Sequence, residues 1–238
     1  MTELQLFIGG LTRIDEEGQS TGIYKHLVNG SIRIGREGLT GDIQADRRVH
    51  GGPDKAVHHY PAENYPLLAK QFPAIALRLV PGSIGENLST RGWDEHSICI
   101  GDTFALGSVK LQVTQPRSPC WKIDHRYAIE GVTRYIADTG LTGWYYRVLE
   151  TGEATAGSAF ELLARLPGAI SLAELWKTWR EHRPDPERLA RINTTPGLTA
   201  DWRKKLADRE TWLRANANAR VAAPSTMFHV KPPPSLDN

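Results

Sequence analysis

Residues 111–122 read LQVTQPRSPCWK, and this stretch joins a short strand pattern to a loop that interrupts it. Leu111 and Val113 alternate with polar residues, which is typical of a β-strand with one buried face. Pro116 and Pro119 lack the backbone N–H that a ladder needs, so regular strand pairing has to end there. The stretch therefore predicts a β-rich fold in which one strand ends in a stiff, chemically unusual loop.

Within that loop, a single cysteine stands among cationic residues. Cys120 lies between Arg117 and Lys122, and positive neighbours favour the thiolate, the form that attacks substrates or binds soft metals. A nucleophilic cysteine also needs a base, and His125 is the nearest candidate. A lone cysteine can instead be a small buried hydrophobe, and Cys99, between two isoleucines, is interpreted in that way. We predict that the functional site contains Cys120.

Composition sets broad limits on the class of protein. The 238 residues allow one large domain, or a domain with a smaller appendage. A formal charge of +2 gives no argument for nucleic-acid binding, and the two cysteines form no disulfide framework. The first residues lack the basic and apolar segments of a signal peptide, and no apolar run approaches membrane-spanning length. We expect a cytoplasmic protein without nucleic-acid or membrane partners.

The first two thirds of the chain predict a mainly β domain. Strands are predicted at residues 4–8, 31–34, 98–100 and 110–113. Helices are predicted at residues 67–72 and 132–138, the second ended by Gly140 as a left-handed cap. Closely spaced strands, separated by glycine and proline turns and few helices, favour a barrel or sandwich over a doubly wound sheet.

After residue 167 the pattern becomes helical. Ser171 and Glu174 form a capping box that begins one helix, Asp185 precedes a proline that begins a second, and Thr199 can cap a third. The residues beyond these helices are rich in alanine, asparagine and proline, a composition that favours disorder. We therefore divide the chain into a β domain, a three-helix segment and a disordered tail, at residues 1–165, 166–215 and 216–238.

A second stretch indicates anion binding. Residues 38–60 read GLTGDIQADRRVHGGPDKAVHHY, and glycine turns of this kind can present backbone amides to an anion. Arg47, Arg48, His50 and Lys55 add positive charge around those turns. The site would then receive a phosphate or another oxyanion. On composition alone the alternative, a solvated hairpin with scattered charge, is favoured slightly, and both interpretations stay open.

The histidines of this stretch also raise the question of a metal. His58 and His59 are adjacent, so on a strand they point to opposite faces and cannot easily serve one ion. Their spacing matches no zinc signature in which two histidines share a helix face. We therefore interpret them as structural histidines and not as zinc ligands.

Two further stretches contain candidate binding residues. Asn87 lies in a glycine-rich loop, where its amide can donate to and accept from the edge of a heterocycle, or can satisfy its own backbone. An aromatic-rich strand places Trp144 and Tyr146 on one face and Tyr145 and Arg147 on the other. One face must belong to the core, and the sequence leaves open which one, so a ligand-facing Arg147 is one of two alternatives.

Taken together, four stretches closely resemble the MOSC-domain family, and specifically its YiiM-like branch, which is linked to resistance against N-hydroxylated purine bases such as 6-hydroxylaminopurine. The resemblance covers roughly residues 1–213, and the helices after residue 171 resemble the three-helix segment found in that branch. The matching stretches are HGGPDKAVHHYP (50–61), GENLST (85–90), QVTQPRSPCWK (112–122) and GWYYRVL (143–149).

The resemblance implies a MOSC-type β-barrel with a few short helices and a bound molybdenum cofactor (molybdopterin), a molybdenum held by a pterin dithiolene that carries a phosphate. The ligand cysteine of the family falls on Cys120. Pyridoxal phosphate binding is a further property associated with the family. The candidates for contacts to the pterin and its phosphate are His50, Lys55, Arg117 and Arg147, with Asn87 as a partner of the ring.

The implied activity is the two-electron reduction of an N–O bond, which detoxifies N-hydroxylated compounds by converting them to amines. Because the chain has neither a cysteine cluster nor a dinucleotide fingerprint, the electrons would come from a separate reductase with a flavin or an iron–sulfur centre. One alternative is a sulfur carrier that holds a persulfide on Cys120 without molybdenum. Another is a non-catalytic binding module whose terminal helices dock a partner.

Overall fold

A computed structural model describes residues 4–14 and 19–216 of the chain, without the side chains of residues 48 and 49. Apart from Asn216, the tail predicted at residues 216–238 therefore lies outside the described residues. Among the helices of the described part, none is long and apolar enough to cross a lipid bilayer.

The described residues form thirteen strands in three sheets. The strands are β1 (Gln5–Ile8), β2 (Thr12–Arg13), β3 (Ser20–Thr21), β4 (His26–Leu27), β5 (Ser31–Gly35), β6 (Gly38–Leu39), β7 (Val57–His59), β8 (Leu88–Ser89), β9 (Thr103–Leu106), β10 (Val109–Pro116), β11 (Trp144–Glu150), β12 (Gly152–Thr155) and β13 (Phe160–Ala164). Eight of them form one curled, mixed sheet in the order β13-β9-β10-β11-β7-β8-β1-β4, in which β7 and β8 are parallel. This confirms the prediction of a mainly β, barrel-like fold.

The helices are α1 (Arg47–His50), α2 (Asn64–Gln71), α3 (Lys122–Tyr127), α4 (Val132–Thr139), α5 (Leu172–Arg180), α6 (Pro186–Asn193) and α7 (Ala200–Ala215), with short 3₁₀ turns at Pro53–Lys55 and Pro73–Arg78. The predicted caps are confirmed, because the side chains of Ser171, Asp185 and Thr199 each accept a hydrogen bond from a backbone N–H in the first turn that follows. Gly140 ends α4 with a φ of 80°, as predicted.

The strand predicted at residues 98–100 is wrong. Ile98 and Ile100 are fully buried, but Cys99 forms only an isolated bridge with Ser171. The carboxylate of Asp102 accepts a hydrogen bond from the backbone N–H of Cys99 at 2.8 Å and closes a tight turn. The apolar residues of this segment therefore reach the core from a turn, without the pairing that a strand requires.

The core joins the sheet to the C-terminal helices. Trp144 and Tyr146 of β11 belong to the same cluster of buried side chains as Trp176 of α5 and Trp202 of α7. The indole N–H of Trp176 also donates to the backbone carbonyl of Ala137 at 2.8 Å, which fixes α5 against α4. The helices and the sheet thus share one hydrophobic cluster, and the division of the chain at residue 165 stays a prediction.

Strand β11 has one core face and one polar face. Trp144 and Tyr146 pack against His59 of the neighbouring strand β7, with ring centroids 4.4 and 5.9 Å away. Because side chains alternate along a strand, Tyr145 points to the opposite face, where His58 lies 5.2 Å from it between ring centroids. The question that the sequence left open is thereby answered, and the polar face becomes one wall of a cleft.

Candidate functional site

The cleft is open to solvent. Loops that follow β3, β6 and β10, together with the turn before β8, surround it. Five of the residues proposed from the sequence line it, namely His50, Lys55, Asn87, Arg117 and Cys120. The fold therefore brings together residues that are up to seventy positions apart in the sequence.

Cys120 reaches the cleft from the loop between β10 and α3. Its thiol is free and partly exposed. The backbone carbonyl of Cys120 accepts hydrogen bonds from the N–H of Ile123 at 2.9 Å and from the hydroxyl of Thr133 at 3.1 Å. These bonds fix the backbone of the loop and leave the thiol available. Cys99 is buried, in agreement with its interpretation as a small core residue.

His125, the nearest histidine in sequence, does not line the cleft. It is exposed on α3, with its ring 6.1 Å from that of Trp121. His50 and His58 line the cleft with Cys120 instead. The sequence predicts a structural role for His58. Because it is adjacent to His59 on a strand, the two side chains point to opposite faces, and this spacing indicates that one of them faces away from the core.

Arg117 is buried, with only 5% of its surface exposed, and its charge is incompletely compensated. Its backbone N–H donates to the carbonyl of Gly143 at 3.0 Å, and its side chain hydrogen-bonds to the hydroxyl of Tyr145. The guanidinium Nε and Nη1 have no hydrogen-bond partner among the described residues. A buried guanidinium with unpaired N–H groups costs several kcal/mol unless a ligand pairs with it, so this arrangement fits an anion.

His50 is neutral in this setting. Burial, followed by the positive charges of Arg117, Lys122 and Lys55, lowers the pKa of His50 to about 3. Its Nδ1 lies 3.2 Å from the hydroxyl of Tyr145. Arg117, Lys122 and Lys55 are thus all close enough to His50 to affect its protonation.

The lysines of the cleft are held in place by oxygen atoms. Lys25 forms a buried ion pair with Asp42, and Lys122 donates to a backbone carbonyl at 2.6 Å. Lys55 lies 4.0 Å from Asp201 at the start of α7, and partial burial lowers the pKa of Lys55. The C-terminal helices therefore contact a residue that also lines the cleft.

Asn87 is bound into the scaffold by its side-chain amide. Its oxygen accepts a hydrogen bond from the backbone N–H of His58 at 3.1 Å, and its nitrogen donates to Asp42 at 2.9 Å and to the carbonyl of Phe7 at 3.2 Å. These bonds hold the loop before β8 against β1 and β7. A role for Asn87 as a partner of a heterocyclic ring stays a prediction.

Arg147 is not among the residues that line the cleft. It shares the polar face of β11 with Tyr145, but its Nε and Nη2 both lie 2.9 Å from a carboxylate oxygen of Asp54. Its Nη1 donates to Gln112 at 3.2 Å. An anion would have to displace Asp54 to bind Arg147, so its proposed contact to a cofactor also stays a prediction.

Cys120 supplies the one thiol of the described cleft. Among residues 4–14 and 19–216, no group of three or more His, Cys, Asp and Glu side chains is arranged to hold a metal ion. His59 is bonded on both ring nitrogens within the core, to Tyr146 and Thr90, each at 3.0 Å. One thiolate is suited to a metal that brings its other ligands with it.

The comparisons with known proteins agree with this geometry. A family model described as the MOSC domain matches residues 46–161, which include the loop of Cys120 and most of the cleft. Protein YiiM of Escherichia coli (strain K12) is 37% identical over 194 residues, which cover 81% of this chain and 86% of YiiM. The chain belongs to the MOSC-domain family. The crystal structure of YiiM from Escherichia coli matches with a TM-score of 0.75 and 29% identity, over 89% of this chain and 92% of that one.

The YiiM-like resemblance and the MOSC-type fold are thereby confirmed. A further relative of this MOSC-family chain is a protein named "Reductase" from Gibberella moniliformis, 35% identical over 147 residues. The shared segment covers 61% of this chain and 26% of that protein. Together with the YiiM relatives, it is consistent with a broad oxidoreductase role.

Proposed function

We propose that this MOSC-family protein is a molybdenum-cofactor-dependent reductase that converts N-hydroxylated compounds, such as N-hydroxylated purine bases, to amines and so detoxifies them. The observation that supports this most is the cleft itself, in which the free thiol of Cys120 occurs together with the buried guanidinium of Arg117, whose Nε and Nη1 are unpaired among the described residues. The guanidinium fits an anionic group such as a phosphate, and the thiolate fits a soft metal already bound by sulfur.

The residues of the cleft suit each part of the cofactor. Cys120 would be the metal ligand, and Arg117 would bind the phosphate through its free Nε and Nη1. Lys55 and Arg117 both lie close enough to His50 to lower its pKa, so the two cations share one site, to which the neutral ring of His50 would add a hydrogen bond. Lys122, which was not among the candidates from the sequence, adds a further positive charge at the same wall of the cleft.

When bound, the cofactor supplies the reduction of an N–O bond, in which a hydroxylamine, two electrons and two protons give an amine and water. The chain contributes the environment. Its loop backbone fixes the thiol of Cys120, and the cationic groups around Arg117 favour an anionic cofactor. Tyr145, packed between these groups, keeps Arg117 and His50 in their positions.

The electrons would come from a separate reductase that carries a flavin or an iron–sulfur centre. The whole chain contains two cysteines, Cys99 and Cys120, which cannot supply the four thiolates that common iron–sulfur clusters require. The "Reductase" of Gibberella moniliformis extends well beyond the segment that it shares with this chain. The name of that protein, and its additional length, support a reductive role that draws on protein outside the shared segment.

Pyridoxal phosphate is not part of this proposal. That cofactor usually forms an imine with a lysine whose amine is free. The described lysines that line the cleft are Lys25, Lys55 and Lys122, of which Lys25 and Lys122 are held by carboxylate or carbonyl oxygens. Lys55 lies 4.0 Å from the exposed carboxylate of Asp201, and the proposal gives it a role as a cation near the anionic group.

The direct test is product formation by the cofactor-loaded protein. An N-hydroxylated purine base is supplied with a chemically reduced viologen dye as electron donor, and the amine is quantified by chromatography. Wild type should form the amine, and Cys120→Ser should fall to background. A loaded wild type that forms no amine, or a Cys120→Ser variant with full activity, would contradict the proposal.

Charge reversal separates this function from the sulfur carrier. Arg117→Glu should abolish cofactor retention, whereas Lys110→Glu, at an exposed cation outside the cleft, should leave it unchanged. A persulfide carrier would instead transfer sulfur from Cys120 at a rate that depends little on Arg117. Two results together would favour that alternative: wild type contains no molybdenum, and Arg117→Glu still transfers sulfur.

A further inference from the structure

The lining of the cleft is cationic in one part and apolar in another. The proposed function assigns the cationic part to an anionic cofactor and gives no role to the apolar residues. These residues, which we call the apolar strip, are Gly22, Ile23, Ile43, Ala45, Ile84 and Gly85. An apolar surface in the same cleft as a free thiol suits the uncharged part of a ligand.

The strip is continuous because two glycines let neighbouring segments approach each other. A Cβ on Gly22 would lie 2.1 Å from the carbonyl oxygen of Ile43, and a Cβ on Gly85 would lie 2.9 Å from a side-chain carbon of Ile23. A larger residue at either position would push these segments apart. The two contacts therefore join three separate segments of the chain into one surface.

The strip is fixed close to Cys120. Lys122, two residues after the cysteine, donates to the backbone carbonyl of Ser20 at 2.6 Å, and Arg126 donates to that of Ile23 at 2.5 Å. These two bonds hold residues 20–23 against α3, the helix that follows Cys120. A ligand that rests on the strip therefore lies in the same cleft as the thiol.

Ile43 provides the accessible apolar surface of the strip. It is 44% exposed, whereas Ile23 and Ile84 are 8% and 0% exposed. Its backbone is held in place, because its N–H donates to the carbonyl of Gly9 at 2.9 Å and the carboxylate of Asp42 accepts from the N–H of Gly9 at 2.8 Å. A single exposed isoleucine needs no explanation on an ordinary surface, but this one lines a cleft and borders other apolar residues. Contact with an apolar ligand surface would remove it from water.

We propose that the apolar strip, through Ile43, binds one face of the planar ring of an N-hydroxylated aromatic base. The face of such a ring is apolar, while its edge and its N–OH group are polar. The ring can therefore cover Ile43 and leave the N–OH group in the polar part of the cleft. Ile43 is then a specificity-determining residue that selects ring-bearing substrates over small hydroxylamines. This inference rests on the proposed function, because it names how the same cleft distinguishes its substrate.

The first test compares two substrates in the viologen-dye assay of the loaded protein. 6-Hydroxylaminopurine carries the N–OH group on a planar ring, and N-methylhydroxylamine carries it without a ring. Ile43→Ala should raise KM for the purine about tenfold with little change in kcat, because it removes contacts that are already made before the reaction. Both constants for N-methylhydroxylamine should stay unchanged.

Two further variants are the controls of this comparison. Ile43→Leu keeps the apolar surface and should restore the KM of wild type for the purine. Leu163→Ala is the matched control, because Leu163 is 49% exposed on β13 and does not line the cleft. It should behave like wild type with both substrates.

The second test measures binding without turnover. The full chain, purified from a host that makes molybdenum cofactor, is titrated calorimetrically with the same two compounds in the absence of an electron donor. Wild type should bind the purine more tightly than N-methylhydroxylamine, and Ile43→Ala should lose about tenfold of that preference. Equal affinities in wild type, or a preference that folded Ile43→Ala retains in full, would overturn the inference.

The two tests separate this inference from the proposed function. Reduction of 6-hydroxylaminopurine with the same KM in wild type and Ile43→Ala would overturn only the role of Ile43. Absence of reduction, together with a ring preference that Ile43→Ala loses, would overturn only the proposed function. Thermal unfolding checks the fold of each variant, and Ile43→Gln, which is polar and of similar size, replaces Ile43→Ala if that variant does not fold.

Discussion

His58 and His59 are neighbours on β7, and both are buried, yet their surroundings differ completely. On the core side, both ring nitrogens of His59 are hydrogen-bonded, to Tyr146 and Thr90. On the other face, Nε2 of His58 has no partner in the described structure, and neither do the guanidinium Nε and Nη1 of Arg117, which lines the cleft. The indole N–H groups of Trp144 and Trp202 in the core are unpaired as well, so it is the charge of Arg117, and not the lack of a partner alone, that marks the cleft side as the place for a ligand.

The largest effect is expected on the cleft side. Arg117→Met removes two charged donors from the proposed anion site, and cofactor retention should fall at least about a hundredfold. Because a buried, incompletely paired charge is replaced by an apolar side chain, the free energy of unfolding should stay the same or rise. Pterin content and urea unfolding of the same preparations test both statements. A variant that is clearly destabilised yet retains cofactor would reverse the assignment of the two faces.

On the core side, the expected effect is on stability. His59→Ala leaves a cavity in the aromatic core and orphans the hydroxyls of Tyr146 and Thr90. The free energy of unfolding should fall by about 3–5 kcal/mol. Urea unfolding measures this loss, and cofactor content per folded molecule should be unchanged. Loss of cofactor from fully folded His59→Ala would show that the two faces are not independent.

Glu95, a buried carboxyl, extends the comparison because it makes the free energy of unfolding depend on pH. Glu95 accepts hydrogen bonds from the N–H of Gly143 at 2.7 Å and from Asn64 at 2.9 Å, and burial raises the pKa of Glu95 to about 7. The folded state then binds the proton more tightly than the unfolded state, in which the pKa is near 4.5. This stabilisation is complete below pH 4.5 and is lost as the pH rises to about 7.

Glu95→Gln removes this titration and keeps an acceptor oxygen. Relative to wild type, the variant should gain about 3 kcal/mol of stability between pH 4.5 and pH 8. Urea unfolding at the two pH values measures the difference. If the free energies of unfolding of the two proteins differ by the same amount at both pH values, Glu95 does not titrate in this range.

The smallest effect is expected where the C-terminal helices meet the cleft. Asp201 is largely exposed and lies 4.0 Å from Lys55, so Asp201→Asn should change the free energy of unfolding by only a few tenths of a kcal/mol. Cofactor retention should stay close to that of wild type. A large loss in Asp201→Asn would show that α7 controls the position of Lys55, and would extend the functional region beyond the sheet.

The features that the sequence predicted correctly are those with local causes. The caps Ser171, Asp185 and Thr199 depend on side chains within one helical turn, and all three have the expected hydrogen bonds. The apolar segment at residues 98–100 misled the prediction, because burial in a turn and burial in a strand leave the same composition. Cys120 could be singled out because its prolines and cations are neighbours in sequence.

The remaining site features depend on contacts between distant strands. The hydroxyl of Tyr145 joins Arg117 to His50 only because β10 and β11 pair in one register. Whether His58 or His59 faces the cleft is decided by the same sheet. Arg147 had the charge expected of a cofactor contact, but its ion pair with Asp54, 93 residues away, could not be read from the sequence.

The measurement that tests the central claim most directly is the molybdenum and pterin content of the chain, purified from a host that makes molybdenum cofactor. Wild type and Cys120→Ser are compared by elemental analysis and by the fluorescence of the oxidised pterin. We predict nearly stoichiometric molybdenum and pterin in wild type, with molybdenum reduced in Cys120→Ser. A wild type that contains neither from a competent host would contradict the cofactor assignment and would direct attention to a persulfide on Cys120.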